Sequence, residues 1–158
     1  MIPIIQSNHI GDLIKEPSLN EGTRVLAGGC FDLLHPGHLS FLKKAKEQGD
    51  LLFLLLESDD MIKKSKGNNR PHQDQQIRAE NLAQTQIVDY VILLPEEMDN
   101  NEYDKLVSLI KPAIIATTKG DPYRYHKERQ ALLVGGKVVD VIDRISNFST
   151  SQSTNKTL

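Results

Sequence analysis

Tryptophan is absent from this 158-residue chain, cysteine occurs once, and aromatic residues make up only 5% of it. A single cysteine excludes an intramolecular disulfide, so stability has to come from packing and hydrogen bonding. So few aromatics argue against a platform on which the bases of a single nucleic-acid strand could stack. A dominant charge is missing as well. The 19 Lys and Arg against 21 Asp and Glu leave a formal net charge of −2, which provides no field for nucleic acid or an anionic membrane surface. No apolar run reaches membrane-spanning length and no signal-peptide pattern is visible, so the expectation is a cytoplasmic protein with neither membrane nor nucleic acid as partner. The length suits one domain with a sizeable core.

What the chain does have is alternation. Arg24-Val25-Leu26-Ala27 is a short apolar run that predicts a buried strand. Leu39, Leu42 and Ala45 then recur at helical spacing among Lys43, Lys44, Lys46 and Glu47, with Gly49 standing where a cap belongs. The run Leu51-Leu52-Phe53-Leu54-Leu55-Leu56 predicts a strand buried on both faces, which completes a βαβ unit. Residues 61–71 read as a cationic loop, 73–86 as a helix and 90–94 as a third strand. Glu96, Glu97, Asp99 and Glu102 suit the solvated first turn of a helix that carries Tyr103, Leu106, Val107 and Ile110 and stops at Pro112. Residues 113–116 predict a fourth strand, 117–123 a turn, 125–133 a helix and 137–142 a fifth strand. The expected fold is therefore α/β, a Rossmann-like doubly wound parallel sheet of about five strands with helices on both faces. Residues 1–22 are expected to be an N-terminal arm packed on the domain formed by residues 23–158.

The chain is organised around Gly28-Gly29-Cys30-Phe31-Asp32-Leu33-Leu34-His35-Pro36-Gly37-His38, which joins the first strand to the first helix. Pro36 fits the first helical position, where its missing N–H costs nothing. His35 then falls at the N-cap and His38 one turn later on the same face. The first N–H groups of a helix lack intrahelical partners and carry partial positive charge, and Gly28 and Gly29 permit close approach, so this turn predicts a phosphate site. Cys30, His35 and His38 are also metal-ligand types. No fourth ligand lies at a familiar spacing, so no metal site is expected and Cys30 reads as a small buried residue.

His35-Pro36-Gly37-His38 after Gly29-Cys30-Phe31-Asp32 resembles the HxGH signature of the nucleotidylyltransferase superfamily. The resemblance implies that a substrate phosphate attacks the α-phosphorus of a nucleoside triphosphate and pyrophosphate leaves, with His35 and His38 catalytic and with Gly29, Cys30, Phe31 and Asp32 also around the nucleotide. Lys66-Gly67-x-x-Arg70-Pro71, followed by Gln76-Ile77-Arg78, is similar to the heptose-phosphate adenylyltransferases, the nucleotidylyltransferase part of ADP-heptose synthase. That likeness assigns Lys66 to catalysis and, with Arg70, to substrate binding, and makes Arg70 and Arg78 helpers that fix the loop. Lys119-Gly120-Asp121 resembles the family's Lys-Gly-Gly-Asp-Tyr, which borders the nucleotide, although one Gly is replaced. Ser149-Thr150-Ser151 stands where the family's Ser-Thr-Thr holds the terminal phosphates, with Arg144, which the resemblance makes catalytic, five positions before it as in the family's cytidylyltransferases. The resemblance further implies Mg²⁺ with the triphosphate and a homodimer. Two alternatives remain open: a cytidylyltransferase acting on glycerol 3-phosphate or a similar alcohol phosphate, and a nucleotide-binding module without turnover.

Overall fold

The computed structural model describes residues 1–143. Its centre is a six-stranded, all-parallel sheet in the order β1-β4-β3-β2-β5-β6, with β1 at Ile4–Gln6, β2 at Arg24–Gly29, β3 at Leu51–Leu56, β4 at Tyr90–Leu93, β5 at Ile114–Lys119 and β6 at Lys137–Asp143. Side chains alternate across each strand, and the core divides accordingly. Val25, Ala27, Leu52, Leu54, Leu56, Val91, Leu93, Ile114 and Ala116 lie in one cluster, with Leu42, Ala45, Ala79 and Leu82 from helices α2 (Pro36–Lys46) and α4 (Gln75–Gln84). Leu26, Phe53, Leu55, Ile92 and Ile115 lie in the other, with Ile10 of α1 (Ile10–Leu13), Leu106, Val107 and Ile110 of α5 (Asn100–Ile110) and Ala131 of α6 (Arg124–Val134). Two-sided burial is why the strands read as unbroken apolar runs. The chain moves outward from β2 through β3 to β4, then returns to the other flank of β2 for β5 and β6, so a topological switch point lies between β2 and β5.

Three features differ from expectation. The sheet has six strands because the start of the expected arm is itself an edge strand, with Ile4, Ile5 and Gln6 in register with Val91, Ile92 and Leu93. Three residues are too short a window for periodicity to register. The cationic stretch expected to be a loop begins as helix α3 (Asp59–Lys66), whose N-cap is the Ser58 hydroxyl, accepting from Met61 N at 3.1 Å. Asp59 and Asp60 in its first turn and Lys63, Lys64 and Lys66 in its last complement the helix dipole, and this end chemistry substitutes for an apolar stripe of which only Ile62 is buried. Finally, β5 continues through Thr117 and Thr118, where a turn was expected. Both are β-branched, and they pair with β6 across a register shift. Among the described residues no helix is long and apolar enough to cross a membrane.

Gly49 does more than punctuate the end of α2. A Cβ built there would lie 2.8 Å from both Thr23 O and Val25 Cγ2, so its bare backbone is what lets the α2–β3 turn settle on β2. Gly49→Ala is expected to lower the urea unfolding free energy by about 1–3 kcal/mol through overpacking. Gly11→Ala, where nothing lies within 4 Å, is the comparison and should unfold close to wild type.

Candidate active site

The turn between β2 and α2 lies at the carboxyl end of the sheet beside the switch point, where open α/β sheets place ligands. A Cβ at Gly28 would meet Leu55 O at 3.3 Å and one at Gly29 would meet the Phe31 ring at 3.0 Å, so a side chain at either position would press on its neighbour. Phe31 and Leu33 both adopt positive φ, 49° and 59°, a conformation that costs a non-glycine residue on the order of 1 kcal/mol or more. Burial holds Phe31 in place: its ring packs 5.3 Å from His38 and 6.5 Å from Phe41, centroid to centroid.

The two histidines meet as expected. His35 is the N-cap of α2, and its Nδ1 accepts from Gly37 N at 3.1 Å and His38 N at 3.3 Å. An imidazole nitrogen that accepts two N–H bonds carries no proton, so the ring is the neutral tautomer with its hydrogen on Nε2. His38 stacks on it with centroids 3.7 Å apart and planes 17° from parallel. Burial first, then the nearby His35 and the Lys66 ammonium, push the His38 pKa down to about 3, and burial lowers that of His35 as well. His38 Nδ1 is buried with no hydrogen-bond partner among the described residues. The result is a pair of neutral N–H donors beside the positive end of a helix. Such a pair meets phosphate oxygens without itself undergoing proton transfer.

Asp32, expected at the nucleotide, and Arg70, expected at the substrate and as a helper that fixes the loop, are paired with each other. The buried Asp32 carboxylate accepts from Arg70 Nε at 3.0 Å, His72 N at 2.7 Å and Gln73 N at 3.0 Å. Burial alone would raise its pKa, but the bonds from His72, Gln73 and Arg70 outweigh burial and hold the carboxyl below its usual range. The pair ties the segment after α3 to the turn between β2 and α2. Lys66, the last residue of α3, is exposed, and its charge reaches both His38 and Cys30. Cys30 is half-buried and donates to Glu57 Oε2 at 3.3 Å; burial, then Glu57, push its thiol pKa up to about 12, so it stays a protonated hydrogen-bond donor rather than a nucleophile.

At the neighbouring end of β5, Lys119 is exposed and Gly120 has φ 83°. Asp121, expected at the nucleotide, is engaged within the turn: it accepts from Thr117 Oγ1 at 2.7 Å and Tyr123 N at 2.9 Å, and pairs with Lys127. The expected sites at Arg144, Ser149, Thr150 and Ser151 lie outside the described residues. Arg78, expected to help fix the loop, is fully buried and donates to Gln73 O, Cys30 O, Glu57 O and Asp59 Oδ1 at 2.7–2.9 Å. Gln75 was not singled out from the sequence, yet its Nε2 donates at 3.0 Å to both Leu56 O and Leu94 O and so clamps the ends of β3 and β4. Its one sequence signal is its place in the first turn of α4, straight after the N-cap Asp74.

The depressed histidine pKa values have a definite sign for stability. In the unfolded chain a histidine takes up its proton near pH 6.5, whereas folded His38 resists protonation until about pH 3, so the stability this ring contributes is present above pH 6.5 and declines as pH falls across that window. Urea midpoints measured from about pH 7 down to about pH 4 should fall for the wild type, and His38→Gln should show a shallower decline.

A model of the cytidylyltransferase-like family matches residues 26–155. The bifunctional protein HldE of Campylobacter fetus is 39% identical over 134 residues, covering 85% of this chain and 28% of that protein. HldE of Helicobacter hepaticus is 38% identical over 151 residues, 94% of this chain and 29% of its own length. The chain thus spans less than a third of these curated relatives. Among solved structures, the lipopolysaccharide core biosynthesis protein from Thermoplasma volcanium aligns with a TM-score of 0.61 at 28% identity, over 81% of this chain and 99% of that one. Pantoate-beta-alanine ligase from Francisella tularensis aligns with a TM-score of 0.71 over 100% of this chain and 74% of that one, and at 16% identity it shares the fold alone. With its stacked HxGH histidines at the carboxyl end of a doubly wound parallel sheet, the chain belongs to the cytidylyltransferase-like family and is a nucleotidyltransferase.

Proposed function

We propose that the chain transfers AMP from ATP to a sugar phosphate of the heptose 1-phosphate class. One oxygen of the acceptor phosphate forms the new bond to the α-phosphorus, the bond from that phosphorus to the β-phosphate oxygen breaks, and pyrophosphate leaves. The attacking oxygen is already anionic, so no protein nucleophile or general base is needed. What the reaction needs is alignment and donors where charge builds up. The observation that carries this reading is the His35–His38 stack, 3.7 Å between centroids, with Nδ1 of His35 held as an acceptor so that Nε2 is a donor. The choice of acceptor is supported by the likeness to HldE and by Lys66-Gly67-x-x-Arg70-Pro71 beside the histidines.

In this reading His35 and His38 donate to α-phosphate and leaving-group oxygens, the α2 N-terminus adds its partial positive charge, and Lys66 neutralises phosphate charge from the end of α3. Among the described residues no group of three His, Cys, Asp or Glu side chains is arranged to hold a metal ion. A Mg²⁺ carried on substrate phosphates and water would offset triphosphate charge.

Pyrophosphate release, measured with ATP and CTP against heptose 1-phosphate and glycerol 3-phosphate, tests the assignment. Turnover is expected with ATP and the sugar phosphate. Turnover with CTP and glycerol 3-phosphate instead would establish the cytidylyltransferase alternative, and nucleotide binding without turnover would leave a binding module. In the same assay His35→Ala and His38→Ala should each lower kcat on the order of 10²–10³-fold, the usual cost of one lost transition-state donor, and unchanged turnover in folded variants would remove the histidines from the mechanism.

A further inference from the structure

His38 lacks the anchor that His35 has. Two backbone hydrogen bonds fix the His35 ring through its Nδ1, whereas Nδ1 of His38 is buried with no partner among the described residues. The orientation of the His38 ring therefore depends on what packs against it. One packing partner is the His35 ring, and a second is Phe31, its centroid 5.3 Å away with the planes 53° apart, a tilted geometry that ring pairs favour. Phe31 is 6% exposed and sits in the core cluster that also holds Leu42 and Ala45 of α2. Phe41, one turn after His38 on that helix, meets the Phe31 ring at 6.5 Å. Four rings thus run in series, from Phe41 through Phe31 and His38 to His35.

Placing the Phe31 ring there requires a φ of 49°, a conformation that is uncommon for a bulky residue. A backbone outlier kept at a residue whose ring backs a site histidine points to function rather than to fold alone. The same packing keeps water from His38. Burial is the largest cause that brings the pKa of this ring down to about 3, helped by His35 and Lys66 and opposed by Asp32.

We infer that Phe31 is a positioning residue for the transfer: its ring, backed by Phe41, holds His38 against His35 and so fixes the direction in which His38 donates. This rests on the transfer reading above, in which both histidines meet phosphate oxygens, and adds to it a residue that acts through His38 without touching the substrate.

The test compares the full-length wild type with Phe31→Leu, Phe41→Leu and Phe53→Leu, each well below its melting temperature. Phe53 serves as the control, because it is a buried phenylalanine of the opposite core cluster, stacked on Tyr90 at 4.9 Å and remote from the ring series. Two quantities are read: kcat and KM for ATP from pyrophosphate release with the sugar phosphate at about pH 8, and the titration of the His38 ring by NMR on labelled histidine, assigned with His38→Gln. Phe31→Leu should lower kcat about tenfold to a hundredfold at unchanged KM, the cost of moving a donor by about an ångström. It should also make His38 titrate toward the ordinary histidine value of 6.5, where the wild-type ring takes up no proton. Phe41→Leu should shift both readouts the same way by less, and it carries the test if Phe31→Leu does not fold, since Phe41 is only half-buried. Phe53→Leu should lower the melting temperature and leave both readouts as in the wild type. If the ring variants keep wild-type kcat and titration, if they raise KM at constant kcat, or if Phe53→Leu loses kcat equally, Phe31 does not position His38 and the inference is overturned. A different failure marks the transfer reading: His38→Ala would then turn over like the wild type, while the titration would still report whether Phe31 holds the ring.

Discussion

Two backbone N–H groups at the start of α2 need an acceptor, and the residue that supplies it is a histidine. Aspartate or serine would cap the helix as well or better. Neither would also present an N–H to a ligand, and an aspartate would set a negative charge where phosphate has to bind. The imidazole satisfies the helix with one nitrogen and leaves the other protonated, so capping and chemistry are two ends of one ring. His38 takes its place from this arrangement, stacked on His35 and wedged against the buried ring of Phe31.

Around that cap the loops at the carboxyl end of the sheet are joined by polar side chains as well as by apolar contacts. Asp32 holds the segment carrying Arg70, His72 and Gln73, Arg78 gathers Gln73, Cys30, Glu57 and Asp59, and Gln75 links β3 to β4. A buried ion pair adds little net stability over an apolar packing of the same shape, but loss of one partner is costly because it strands the other. The value of such a network lies in geometry. It fixes where the end of α3, and with it Lys66, stands relative to the histidines, which hydrophobic contacts alone would define less sharply.

The parts of this molecule that were legible in the sequence are those where one local signal decides the structure. The six-residue apolar run at 51–56, bounded by a cap and by polar residues, favours a strand buried on both faces, and Pro36 between a candidate cap and a helical stripe placed both histidines on one face. The unread parts depend on partners elsewhere in the chain or on end chemistry rather than on an apolar period. Ile4–Gln6 is a strand because β4 offers it an edge, and α3 exists because Ser58 and the charges at its ends stabilise it, not because of an amphipathic pattern. Asp32 and Asp121 sit inside the motifs that suggested nucleotide contacts, yet their carboxylates are committed to Arg70 and Lys127, partners 38 and 6 residues away. A motif marks a residue as belonging to the site without indicating which way its side chain faces.

The thiol at the end of β2 has a pharmacological consequence. Electrophilic drugs and oxidants attack sulfur as the thiolate, and a group pushed to about 12 supplies almost none of that form at neutral pH. Cys30 therefore lends this cleft no covalent handle despite its place beside the reacting centre. Inhibitors of the site would have to win affinity by mimicking charge and hydrogen bonding, and oxidative stress should leave this sulfur in its reduced state.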